Sequence, residues 1–160
     1  MKSRLWLASA TTLAVLALSC GGSPAMSLTE PSRAVSRAGA WNGRSVDSQG
    51  ATIVTWALVQ TGTSVSGTVK TQAVDPTDGS CNSCHRNKTG TLTGTISGTV
   101  LTVTMFFVAG GTGDPTPECS ATLTGSASNI AGDQLTVAYT GADTCEGPFM
   151  DGTLAMAHNP

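Results

Sequence analysis

Apolar and polar residues alternate with a period of two through most of the chain after residue 40. In the segment SVSGTVK, residues 64–70, Val65 and Val69 share one side with Gly67 while Ser, Thr and Lys occupy the other. Side chains two apart share one face of a β-strand, and Thr is favoured in strands. No segment after residue 40 repeats its apolar residues with a helical period. The pattern therefore predicts an all-β domain.

The same alternation recurs in segments separated by turn residues, and it predicts eight strands. Their approximate bounds are 40–47, 51–60, 63–74, 89–97, 99–108, 118–127, 134–142 and 149–157. Short successive strands favour an antiparallel meander, and eight of them can close into an up-and-down barrel without exposed edges. Glycines at inward positions would allow the strands to bend. An open β-sandwich is the alternative architecture.

The pattern also predicts which side chains form the core. The aromatic residues assigned to the core are Trp41, Trp56, Phe106, Phe107 and Tyr139. On the last strand, one face is predicted to carry Met150, Gly152, Leu154 and Met156.

Connection lengths distinguish the two ends of the predicted barrel. When strand directions alternate, the connections 75–88, 109–117 and 143–148 fall at one end, the loop end. These connections are long and rich in Pro, Asp and Cys, whereas both chain termini of the domain fall at the other end, the tether end. Because loops at one end of a rigid scaffold commonly carry function, a small molecule or protein ligand is expected at the loop end.

The first residues resemble a bacterial lipoprotein signal. Lys2 and Arg4 precede an apolar run that is too short to span a bilayer, and the run ends in ALSC with Cys20. We expect a signal peptide at 1–19, a flexible tether at 20–39 that begins with lipidated Cys20, and a barrel domain at 40–160. The absence of Asp after Cys20 fits delivery to the outer membrane of the cell envelope. An ordinary secretory signal cut elsewhere is the alternative.

The charge of the chain argues against nucleic acid as a partner. Without the signal, six basic residues face ten acidic ones, a net charge of −4. No basic patch is visible in the sequence.

Four cysteines besides Cys20 suggest disulfides, because exported chains favour them. A hairpin turning at residues 128–133 would place Cys119 opposite residue 143, two residues from Cys145. We therefore predict a Cys119–Cys145 bridge, with Cys81 and Cys84 bonded to each other.

The motif C-x-x-C-H at Cys81, Cys84 and His85 offers a different function, because this spacing attaches haem c covalently. Met105, Met150, Met156 and His158 are then candidate second axial ligands. However, the motif stands in a polar loop with no helix or aromatic residue nearby, so we expect a structural disulfide and no cofactor. A redox-active CxxC is a further alternative, as is a zinc site that adds Cys119 or Cys145 to Cys81, Cys84 and His85.

Motifs of catalysis are absent from the sequence. No G-x-S-x-G, H-E-x-x-H or P-loop occurs. The two histidines, His85 and His158, have no partners that the sequence would place beside them. Acidic residues of the predicted loops could hold calcium weakly, but turn formation explains them as well: Asp75, Asp78, Asp114, Glu118, Asp143 and Glu146. We expect a protein that is not an enzyme.

The segments AWNG, TGTSVSGTV, GDPTPECSATLTG and DTCEGPFMDGTLAM resemble a group of uncharacterised bacterial lipoproteins that are small, Thr/Gly-rich, calycin-like β-barrels. The resemblance implies an envelope-anchored, non-enzymatic module that binds a ligand or has a structural role. A carrier of a small apolar ligand inside the barrel is the alternative. The segment AGAWNGRSVDSQGATIVTW also looks like the first hairpin of avidin-like proteins, but the later strands lack the tryptophans of a biotin pocket.

Overall fold

The computed structural model describes residues 36–74, 87–110 and 118–159, which form eight β-strands. The strands are β1 (Gly39–Asp47), β2 (Gly50–Thr61), β3 (Ser64–Ala73), β4 (Thr89–Ser97), β5 (Val100–Phe107), β6 (Ala121–Ser128), β7 (Gln134–Asp143) and β8 (Gly147–Asn159). Each lies within three residues of a predicted strand at either end. No helix in these ranges could cross a bilayer.

The strands close into a barrel in sequence order, and every neighbouring pair is antiparallel. β1 completes the circle by pairing with β8, where Ala40 lies opposite Asn159. The predicted up-and-down barrel is therefore confirmed, and the open sandwich is wrong. β1 begins and β8 ends at the tether end, as predicted, and the strand ends that flank the long connections lie at the opposite, loop end.

The interior of the barrel is packed with apolar side chains from all eight strands. Trp56, Val69, Leu101, Phe107, Val137 and Phe149 are completely buried, and the core also contains Trp41 and Met105. Burial alternates along each strand, as in the pattern BeBeBeBe of β6. This alternation follows from the pleat, which directs successive side chains to opposite faces.

Two predicted core residues lie on the outer surface instead. On β8, Tyr139 lies opposite Gly152 but Gly141 lies opposite Phe149, so β8 contains one extra residue. This β-bulge turns both Met150 and Asp151 outward and leaves Met150 52% exposed, while Phe149 takes the inward position. Phe106 is 44% exposed because its neighbours on β5, Met105 and Phe107, both point into the core, so Phe106 points outward.

A polar and aromatic group fills the tether end. Arg37, which the sequence assigned to the tether, is buried, donates from Nη1 to the Gly132 carbonyl and stacks over the Trp41 ring at 5.6 Å. The Trp41 indole donates to the Arg37 carbonyl oxygen at 3.0 Å, and His158 packs on Trp41 with ring centroids 4.8 Å apart. The segment just before β1 is thus fastened to the barrel by the Trp41 indole.

We predict that substitutions at the two interior tryptophans, Trp41 and Trp56, destabilise the fold to different extents. We expect Trp41→Phe to lower the free energy of unfolding by about 1 kcal/mol more than Trp56→Phe, because a lost hydrogen bond costs about that amount. The Trp41 indole has a partner, whereas the buried indole nitrogen of Trp56 has none among the described residues. Urea unfolding of both variants measures the difference, and a larger loss in Trp56→Phe would contradict it.

Candidate functional site

Polar side chains occupy the interior of the barrel at the loop end. The hydroxyl of Tyr139 on β7 donates to Asp47 Oδ2 on β1 at 2.5 Å, and the Ser45 hydroxyl also hydrogen-bonds to this phenol. Ser45, Thr71 and Tyr139 line the same small space inside the barrel. We call Ser45, Asp47, Thr71, Lys88 and Tyr139 the mouth cluster.

Burial perturbs the titration of Tyr139. Desolvation is the largest cause that raises the pKa of its phenol above the ordinary value of 10.0, and the hydrogen bond to Asp47 raises it further. The Ser45 hydrogen bond acts in the opposite direction. Both main causes favour the neutral phenol: burial removes water that would solvate the phenolate, and ionisation would place a second negative charge beside the Asp47 carboxylate.

This shift predicts that stability falls as the pH rises above about 10. The unfolded chain releases the Tyr139 proton near the ordinary pKa of 10.0, whereas the folded chain retains it. Unfolding therefore becomes more favourable through the window between the ordinary pKa and the higher folded one. Urea midpoints measured below and above about pH 10 should separate more in the native chain than in Tyr139→Phe. An equal separation in the two proteins would contradict the assignment.

Lys88 is a buried cation that sequence reasoning missed. It precedes β4, is fully buried, and its Nζ donates to the Cys119 carbonyl at 3.0 Å. Its backbone pairs with Thr71, whose N–H donates to the Lys88 carbonyl at 2.9 Å. Lys88 therefore ties the end of the β3–β4 connection to the segment before β6.

The predicted Cys119–Cys145 disulfide is present next to this lysine, with Cα atoms 5.7 Å apart. The β6–β7 register places Ala121 opposite Asp143, so its continuation sets Cys119 directly opposite Cys145. The hairpin estimate from the sequence had placed residue 143, and not Cys145, opposite Cys119, so its register was wrong by two residues.

Asp143 organises the turn that follows β7. Its Oδ1 accepts from the backbone N–H groups of Cys145 at 2.7 Å and Glu146 at 3.3 Å. The other oxygen, Oδ2, is buried and has no hydrogen-bond partner among the described residues. This Asx turn holds Cys145 in position for the disulfide.

The barrel interior is filled with side chains. The space bounded by Ser45, Thr71, Tyr139 and the neighbouring core residues measures about 10 Å³. Ligand pockets for small molecules commonly measure about 300–1,000 Å³. This space is therefore far too small for the apolar ligand of the carrier alternative.

The cysteine and acidic clusters do not form a metal site in the described part of the chain. Glu118, Cys119 and Cys145 lie within 4.8 Å of one another, but the two sulfurs are bonded together and offer no thiolate. Asp143 is committed to its turn. Glu146, also suggested for calcium, is exposed in the same turn, and Asp75, Asp78 and Asp114 lie outside the described residues.

Several predicted sites also fall outside the described residues, namely Cys20, Cys81, Cys84 and His85. The suggested second haem ligands are scattered: Met105 and Met156 are buried in the core, and Met150 faces outward. His158 is at the tether end, where its Nε2 lies 3.2 Å from the Ala38 carbonyl oxygen. Of the four, Met105 lines the small space beside Ser45 and Tyr139 at the loop end.

Comparisons with known proteins show little beyond the barrel itself. No protein-family model matches the chain, and no curated protein matches it. The chain is similar to a solved structure described as a rhizavidin–biotin complex, with 18% identity and a TM-score of 0.42. The match covers 79% of this chain and 98% of the other. At this identity and TM-score, the likeness adds nothing to the topology described above.

Proposed function

We propose that this protein is a lipid-anchored, non-enzymatic binding module of the bacterial cell envelope, with its ligand site at the rim of the loop end. The observation that carries the proposal is the mouth cluster, a set of polar side chains at the loop end of which Ser45, Thr71 and Lys88 are buried. Burying polar groups is costly unless they are hydrogen-bonded, and the bonds from Tyr139 to Asp47 and from Lys88 to the Cys119 carbonyl satisfy these groups and hold them in fixed positions next to the rim.

The topology supports an arrangement suited to binding at the cell surface. The chain joins the barrel at the tether end, beside Arg37 and Trp41, whereas the mouth cluster lies at the opposite end. A tether from lipidated Cys20 would thus leave the loop end directed away from the membrane. The ligand would be a small polar molecule held by the loops and the rim, because the interior beneath them is filled.

The anchor is tested by metabolic labelling with a fatty-acid analogue. We expect label on the native chain and none on Cys20→Ala, with an outer-membrane location for the labelled protein. Cys119→Ala/Cys145→Ala is a control that should retain the label, since it leaves the signal intact. Label persisting in Cys20→Ala, or no label on the native chain, would refute the anchor.

The ligand site is tested by thermal unfolding of the full chain with a panel of small polar metabolites, because a ligand that binds only the folded state raises Tm. We expect at least one compound to stabilise the native chain and Asp133→Asn, but not Asp47→Asn. Asp133 is an exposed carboxylate at the tether end, so it serves as the matched control. No stabilising compound, or equal shifts in both variants, would count against a small-molecule site at the loop end.

A further inference from the structure

The outer surface of β4 to β7 carries no charge. Thr or Ser stands at most outward positions of these strands, and none of those positions holds Asp, Glu, Lys or Arg. Elsewhere on the strands, outward charges are present, as at Arg44, Lys70 and Asp151. Average globular sequences carry about 25% charged residues, whereas this chain carries 11% and the outward positions of these four strands carry none. A neutral face of four adjacent strands therefore suits a neutral partner.

The strand register arranges the hydroxyl groups in two rows that cross the strands. One row runs Thr93, Thr104, Thr124 and Thr140, in which each residue lies opposite the next. The second row, displaced by two residues on each strand, runs Thr95, Thr102 and Ser126. Neighbouring strands lie about 4.8 Å apart, so the five strands β4 to β8 span about 19 Å.

A furrow lies between these two rows. It has a part of about 220 Å³ between Thr93, Thr95, Thr102 and Thr104, and a part of about 440 Å³ that continues from Thr102 past Thr124 to Asp151. Its floor is the backbone of one cross-strand row: Gly94, Val103, Gly125, Tyr139 and Gly152. We call this the outer furrow.

The glycines explain why the sheet is furrowed here. A Cβ at Gly125 would lie 2.7 Å from the Val137 side chain, and one at Gly152 would lie 2.5 Å from the Tyr139 ring. The backbone therefore approaches the core more closely at these positions than a residue with a side chain would allow. The glycines thus leave no side chain between the strand backbone and the neighbouring Val137 and Tyr139 side chains along the floor.

The β8 bulge places a carboxylate at one end of the outer furrow. Asp151 has a φ of +56°, a conformation that is uncommon outside glycine, and it lines the larger part of the furrow. A regular strand would alternate Met150 and Asp151 between the two faces, whereas the bulge turns both outward. The furrow thus ends in a strong hydrogen-bond acceptor.

We propose that the outer furrow binds a neutral oligosaccharide chain lying across β4 to β8. Thr offers a hydroxyl that both donates and accepts together with a methyl group, which matches the hydroxyl groups and C–H faces of a sugar. The β-branched side chains are stiff and stand on rigid strands, so binding would order them little further. A second copy of the chain is a poorer match, because protein interfaces favour aromatic residues and are depleted in Ser, and the only aromatic side chain on this face, Phe106, lies outside the furrow.

Calorimetry on the full chain in detergent tests the proposal, with cellohexaose, maltohexaose and chitohexaose as neutral probes and hexagalacturonate as the acidic probe. We expect at least one neutral probe to bind and the acidic probe not to bind. Thr102→Lys and Thr124→Lys should each weaken binding by about tenfold or more, because a charged side chain would obstruct the furrow. Thr124→Val keeps the shape and should also weaken binding. The matched control is Thr68→Lys on β3, which is exposed outside the furrow and should bind normally.

The outcomes separate this proposal from its alternatives. Absence of binding by every neutral probe would overturn it, as would equal loss in Thr68→Lys and Thr124→Lys. Sedimentation velocity tests the alternative occupant, a second copy of the chain. A native oligomer that dissociates in Thr124→Lys would identify this second copy as the occupant and overturn the proposal. A cooperative urea unfolding transition in each variant, with a slope like that of the native chain, shows that it has folded. The furrow floor shares Tyr139 with the mouth cluster, so the second control is Asp133→Asn at the tether end, which is exposed, lies outside both sites and should leave sugar binding intact.

Discussion

Gly67→Ala is expected to lower the free energy of unfolding by about 3 kcal/mol or more, and in cells to reduce the folded protein severely. A Cβ at residue 67 on β3 would lie 2.0 Å from the Ala57 carbonyl oxygen and 3.1 Å from the Leu58 Cα on β2. These neighbours are backbone atoms in paired strands, so they cannot move aside by changing a rotamer. Urea unfolding, or soluble yield if the variant is too unstable, measures the effect.

Gly62→Ala is the control for this prediction. Gly62 lies in the β2–β3 turn with a φ of +60°, and nothing lies within 4 Å of a Cβ added there. Its cost should be limited to the left-handed backbone conformation, about 1–2 kcal/mol. If Gly62→Ala proved as destabilising as Gly67→Ala, the loss would reflect glycine replacement in general and would contradict the steric account.

Removal of the Cys119–Cys145 bridge is expected to cost about 3–4 kcal/mol, which is the chain-entropy estimate for a sequence separation of 26 residues. Cys119→Ala/Cys145→Ala removes both sulfurs and so avoids leaving a buried thiol. The bridge also joins the connections that follow β5 and β7. We therefore expect faster proteolysis at the loop end than in the native chain.

Reduction of the native protein supplies an independent comparison. If the bridge acts only by cross-linking, the reduced native chain and the double alanine variant should unfold at similar urea concentrations. A loss below about 1 kcal/mol in both would show that the β6–β7 pairing and the Asp143 turn hold this end without the bridge.

The fold was predictable because its dominant signal is local. Period-two alternation sets the strands, and turn residues between them set the meander. The prediction that Met150 faces the core was wrong because a β-bulge turns it outward. This bulge arises from the pairing of β8 with β7, which the sequence of β8 alone does not reveal. The disulfide was predictable for the related reason that hairpin register brings Cys119 and Cys145 together, even with a register error of two residues.

The polar interior was less predictable. Lys88 and Arg37 stand in segments that look like ordinary loop and tether, and no sequence pattern marks them as buried. Tyr139 followed the alternation, but its partner Asp47 lies 92 residues away, at the end of β1. The outer furrow depends on the register of five strands, so its two hydroxyl rows emerge only when the barrel is assembled.

Mass mapping of the non-reduced mature protein, made in a host with haem-maturation machinery, tests the central claim of a lipid-anchored, disulfide-stapled module most directly. We predict a lipid on Cys20, a Cys119–Cys145 linked peptide, a Cys81–Cys84 disulfide within one peptide, and no haem. A mass increase equal to haem on the peptide that contains Cys81, Cys84 and His85 would contradict the account and identify an electron-transfer protein instead.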